Sequence, residues 1–156
     1  MQTKNVQLLI GRMLAAVIFS ISLFSFSSPS GGDHFQIYID KKLVLDQFVH
    51  LSTGVKVINL QPANYQSQLD VYYNHCGEMG KARTIVLKDQ QDKVIKTLKF
   101  KDGNKYMSCN VSDFVDLKKK NNFPRINLYY SAEQSPEPRL LANIVVNTEN
   151  RSLTSK

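Results

Sequence analysis

Tryptophan is absent from this 156-residue sequence, and cysteine occurs only twice, at Cys76 and Cys109. Without Trp there is no Cys…Trp…Cys core of a true immunoglobulin domain, so any immunoglobulin likeness is one of architecture. Two cysteines are too few for a disulfide-dense miniprotein or for paired zinc-ligand spacings. Histidine is scarce too, at His34, His50 and His75, whereas a blue-copper site needs two His around its Cys. No G-x-S-x-G elbow, Gly-rich phosphate loop or H-E-x-x-H helix occurs, which removes the usual sequence grounds for an enzyme. No segment could serve as a crossover helix of a dozen residues, so parallel βαβ units are excluded.

Acidic residues are missing from the whole stretch before Asp33, where Lys4 and Arg12 are the only charges. Within it Met13 to Phe26 is a 14-residue apolar run closed by Ser25-Phe26-Ser27. A charged start, a short apolar centre and a small-residue exit make residues 1–27 a predicted secretory signal peptide. The rival is an uncleaved anchor, because Leu8 to Phe26 spans 19 residues if Arg12 snorkels. Fourteen apolar residues are short for a hydrocarbon core of ~30 Å, so cleavage is expected. Export to the periplasm, cell surface or medium follows, and the membrane is met only through this segment if it stays uncleaved. Cleavage lowers the formal charge from +7 to +5, since Lys4 and Arg12 are lost.

Residues 28–33 form a Ser/Gly/Pro linker with no reason to be ordered, and residues 148–156 a loose polar tail. Between them, residues 34–147 are dominated by a period of two. Phe35, Ile37 and Ile39 alternate with Gln36 and Tyr38. Similar segments run over 43–49, 55–60, 69–73, 84–87, 94–100, 126–130 and 140–146, about eight strands in all. Pro136 and Pro138 are expected to interrupt a ladder. One helical spacing stands out, Val111, Phe114, Val115 and Lys118, with Ser112 as N-cap and Asn121-Asn122 as stop. It predicts one or two turns near 112–119. The fold class is therefore all-β: an antiparallel β-sandwich of immunoglobulin-like architecture, or a flattened barrel, with one short helix.

In an exported chain two cysteines are read first as a disulfide, here Cys76–Cys109. Such a loop stabilises by about 3.5 kcal/mol in the chain-entropy account. His75, Cys76, Met79 and Cys109 are also soft ligands that could hold copper if the two cysteines approach. His75 beside Glu78 has the makings of a general base and its orienter, though a polar turn explains the pair as well. Six lysines fall between Lys88 and Lys105. Lys99 and Lys101 share a strand face, as an anionic-ligand site or as protection of a sheet edge. In the pairs Tyr72-Tyr73 and Tyr129-Tyr130 one ring of each points inward and one outward. The outward members, expected to be Tyr72 and Tyr129, could stack on sugars or anchor a protein.

The run Asp33-x-Phe35-x-Ile37-Tyr38-Ile39 to Lys42-Leu43-Val44-Leu45-x-Gln47-Phe48-Val49 is followed by Tyr73-x-His75-Cys76-Gly77, Tyr129-Tyr130-Ser131 and Arg139-Leu140-Leu141-Ala142. Together these segments resemble a family of short exported proteins of Gram-negative bacteria. The resemblance spans most of residues 33–146 and implies secretion and a compact β domain. It brings no activity with it. The expected function is non-catalytic binding of an envelope protein or anionic glycan, without cofactor and without nucleic acid. The alternative is a copper or thiol-redox protein built on His75, Cys76, Met79 and Cys109.

Overall fold

Nine strands and one α-helix make up a computed structural model that describes residues 32–51 and 54–147. The predicted signal peptide, most of the linker and the tail lie outside the described residues. One sheet has the order β2 (Lys42–Phe48), β1 (His34–Ile39), β4 (Gln68–Asn74), β7 (Met107–Asn110). The other has the order β3 (Lys56–Leu60), β9 (Ser135–Val146), β8 (Ile126–Ala132), β5 (Thr84–Lys88), β6 (Val94–Lys99). The sheets share no pairing, so the architecture is a sandwich and no barrel closes.

Alternation in the sequence becomes burial in the fold. Ile37, Leu69, Val71 and Tyr73 of one sheet face Ile85, Leu87, Leu128, Tyr130 and Ile144 of the other, all at 0% exposure. Each such aliphatic side chain contributes about 2 kcal/mol on leaving water. β1 and β2 are joined by Asp40 and Lys41, both at positive φ, +48° and +66°. Two such residues between Ile39 and Lys42 match the twist of an antiparallel hairpin.

Four expectations change. β7 is new relative to the sequence pattern, because Met-Ser-Cys-Asn is a four-residue alternation between a polar loop and the helical segment; Met107 and Cys109 point inward. β9 begins at Ser135 despite its prolines. Its pairing with β8 jumps from Ala132↔Ser135 to Tyr130↔Arg139. Pro136 and Pro138 thus sit in a bulge that requires no ladder N–H. β3 pairs β9 in parallel, from Lys56↔Ala142 to Leu60↔Val146; the strands between them serve as the crossover, so no βαβ helix is needed. Finally, the helix α1 (Val111–Asn121) has 11 residues. Asn110, rather than Ser112, occupies the N-cap, and Asn122 ends the helix at φ +50°. Val111, Phe114 and Val115 are its buried face, packed against β7 and β9.

Candidate functional site

The two cysteines do not meet. Cys109 is buried on β7 opposite Leu69, near the start of β4. Cys76 is exposed and follows the far end of the same strand. The strand from Leu69 to Asn74 alone spans roughly 17 Å, whereas a disulfide needs Cα atoms within about 7 Å. Both thiols are free, which corrects the expected Cys76–Cys109 bond. The copper set His75, Cys76, Met79 and Cys109 fails for the same reason. Among the described residues no group of three or more His, Cys, Asp or Glu is placed to hold a metal ion.

Cys76 instead occupies a tight turn. His75 and Glu78 pair through their backbones, at 2.7 and 2.9 Å, and Cys76 and Gly77 between them have φ of +48° and +102°. The Gly77 N–H donates to Asn74 Oδ1 at 2.7 Å. Glu78 makes no ion pair with His75 among the described residues. The carboxylate beside His75 is Asp33, whose Oδ2 is 3.4 Å from His75 Nδ1.

Asp33, assigned to the linker on composition, is the centre of a polar network at this end of the sandwich. Its Oδ2 accepts from Tyr73 Oη at 2.8 Å and from Arg139 Nη1 at 2.7 Å. Arg139 Nη1 also donates to Tyr73 Oη at 2.7 Å, and His75 Nε2 lies 2.9 Å from Tyr130 Oη. Burial pushes the Tyr73 phenol well above its ordinary value, with the Asp33 hydrogen bond adding to it. Burial pushes Tyr130 up to about 12 against the opposing pull of Arg83. Both phenols stay protonated at neutral pH and serve as hydrogen-bonding groups in a network that ties the two sheets together. Arg83 is fully buried, and its Nη2 donates to the Lys101 carbonyl at 3.2 Å and to that of Asn104.

The outer face of β1, β4 and β7 is different. Alternation sends Gln36, Tyr38, Asp70, Tyr72, Asn74 and Ser108 outward. Tyr38 and Tyr106 meet edge to face at 5.7 Å, and Tyr72 and Tyr106 at 6.2 Å. Lys105 Nζ sits 5.4 Å from the Tyr72 ring and 5.2 Å from the Tyr106 ring. Tyr38 Oη donates to Gln36 Oε1 at 2.6 Å, and Asn74 Nδ2 donates to Tyr72 Oη at 3.2 Å. Desolvation raises the Tyr38 pKa, and Tyr106 adds to the rise. Three half-buried rings with amides between them form a platform that can stack on a flat apolar face and bond to hydroxyls.

Of the residues expected to bind, only Tyr72 is on this platform. Tyr129 is on the outside of the other sheet, with its hydroxyl 2.8 Å from Asp92 Oδ1 and Lys88 Nζ 4.4 Å from its ring. Lys99 ends the edge strand β6 and Lys101 follows in the exposed loop, consistent with edge protection. Tyr38, Lys105 and Tyr106 were missed. Tyr38 was legible as the polar-face member of β1; Tyr106 was not, because the strand it leads into was unrecognised.

No family model matches the chain, and no curated protein matches it. A solved structure, the extracellular domain of a one-component system from B. thetaiotaomicron, is similar with 14% identity and a TM-score of 0.42. The match covers 77% of this chain and 16% of that one.

Proposed function

We propose that the protein is an exported, non-catalytic β-sandwich that binds an anionic glycan of the cell envelope on its tyrosine platform. The observation that carries this reading is the grouping of Tyr38, Tyr72 and Tyr106 under Lys105. Ring faces stack on the C–H faces of sugars, as they stack on other apolar planes. Gln36 and Asn74 supply amide groups for hydroxyls. Lys105 forms no ion pair among the described residues and favours a carboxylate or phosphate on the ligand. The neighbouring carboxylates turn towards protein donors and keep their charge, Asp46 towards His34 and Gln36 and Asp70 towards Ser108. The anionic group of the ligand is therefore expected on the Lys105 side of the platform. Export rests on the predicted signal peptide.

Titration of the purified exported protein with oligogalacturonate, followed by amide NMR, tests the reading. Shifts are expected on β1, β4 and β7, with binding lost in Tyr72→Ala and Tyr106→Ala and kept in Tyr129→Ala. Lys105→Gln is expected to weaken the anionic glycan more than a neutral cello-oligosaccharide. Binding that ignores these tyrosines, or none to any anionic glycan of a representative panel, would refute it.

A further inference from the structure

The two sheets end in four edge strands, β2, β7, β3 and β6. Edges left open invite strand addition, and proteins usually guard them with charge or cover. β7 is four residues long and leads directly into α1. β6 carries Lys96 and Lys99, and Lys96 is tied to Asp113 of α1 at 3.0 Å. β2 and β3 differ. Leu43 and Val44 of β2 are 45% and 41% exposed, and Val57 of β3 is 54% exposed. A groove of about 530 Å³ lies between them, lined by Ile39, Lys42, Val44, Val57, Ile58 and Asn64 among others. It is separate from the tyrosine platform.

The chemistry of the groove limits what could fill it. An edge of unpaired backbone groups selects an extended chain. The valines select apolar side chains at alternate positions, because strand side chains repeat every second residue. The charge nearby is positive. Lys41, Lys42 and Lys56 are exposed and form no ion pair among the described residues. The carboxylate that lines the groove, Asp40, is already held by Ser67 Oγ and the Gln68 N–H. We propose that this groove receives an extended segment of a partner protein, added as a strand and alternating apolar with acidic residues. A glycan would leave the backbone edge unpaired, and a second copy would bring the same excess of lysines to a face that already holds Lys41, Lys42 and Lys56.

The test is selection from a random ten-residue peptide library displayed against the exported protein. Enriched peptides are expected to alternate Val, Ile or Leu with Asp or Glu, and to shift amides of β2 and β3. N-methylation of the peptide's alternate amides should abolish binding. Val57→Asp should weaken it about tenfold or more, like charges and a lost apolar contact acting together. The valine is exposed, and circular dichroism checks that the fold survives; Lys42→Glu with Lys56→Glu provides a second variant, expected to switch preference towards basic peptides. Failure to enrich any peptide, enrichment without an acidic pattern, or shifts outside β2 and β3 would overturn the proposal. So would a concentration-dependent dimer that uses these edges.

Discussion

Tyr73 of β4 and Tyr130 of β8 stack across the two sheets with ring centroids 4.0 Å apart and planes 12° from parallel. Each is the inward member of a tyrosine pair whose other ring, Tyr72 or Tyr129, faces out. The stack packs as core, yet each hydroxyl leaves the core for the polar end. Tyr73 reaches Asp33 and Arg139; Tyr130 reaches His75. Three strands, β4, β8 and β9, are joined around this one contact to Asp33, which precedes β1, and to His75, which follows β4.

Alkaline pH should loosen it. A free tyrosine ionises near 10.0, and Tyr130 in the fold near about 12 because burial penalises the phenolate. Between these values the unfolded chain has lost a proton that the native state keeps. The stabilisation is complete below pH 10.0 and falls as pH rises towards about 12. Cys109 acts with the same sign, since burial moves its thiol from 9.0 up to about 12. Urea midpoints should decline across this window, with a shallower slope in Tyr130→Phe. A flat midpoint would show that the phenol is not protected.

Asp33→Asn should destabilise the fold by about 2 kcal/mol, the scale for a hydrogen bond to a charged group. Arg139 would keep its charge and lose its carboxylate, and Tyr73 would lose its charged acceptor. Arg139→Gln should cost a similar amount, and the double variant less than the two together, because both changes break one network. Additive losses in thermal melts would mean that the two residues act separately.

Legibility in the sequence follows range of interaction. β1, β4 and β5 were readable because half-buried strands show their two faces in consecutive residues. The signals that failed were those set by register. Asp33 looks like linker by composition, and its partners Tyr73 and Arg139 lie 40 and 106 positions away. Cys76 and Cys109 look like a pair until Leu69↔Cys109 places one of them at the wrong end of β4. The tyrosine platform is half visible in the sequence: alternation makes Tyr72 an outward ring, while its grouping with Tyr38 and Tyr106 depends on the strand order β1-β4-β7.

Gly80 is a sharp test of packing at the polar end. A Cβ there would collide with the Tyr130 hydroxyl and come within 2.8 Å of Ala132 Cβ and 3.1 Å of His75 Nε2. Gly80→Ala should cost about 2 kcal/mol, as overpacking does. Gly103 has open space within 4 Å and φ +86°, so Gly103→Ala should cost only the left-handed backbone penalty, about 1 kcal/mol. Equal melting temperatures for the two variants would contradict this account.

The cysteines give opposite expectations for one experiment. Cys76 is exposed in a turn position at φ +48°, where residues with a Cβ are strained and Asn or Gly is favoured. Cys109 is 3% exposed and packed opposite Leu69. With both thiols free, a thiol reagent should titrate Cys76 at once and Cys109 only after unfolding. Reducing agent should leave the melting temperature unchanged. Cys76→Asn should be neutral or raise stability by roughly 0.5 kcal/mol through relief of the left-handed backbone. Cys109→Ala should lower it by about 1 kcal/mol through the small cavity it leaves. A cross-link would instead make the two single variants equally destabilised and give a wild-type mass two daltons below that of the reduced chain. Mass spectrometry with and without reductant separates the outcomes: an unchanged mass and one fast thiol are expected.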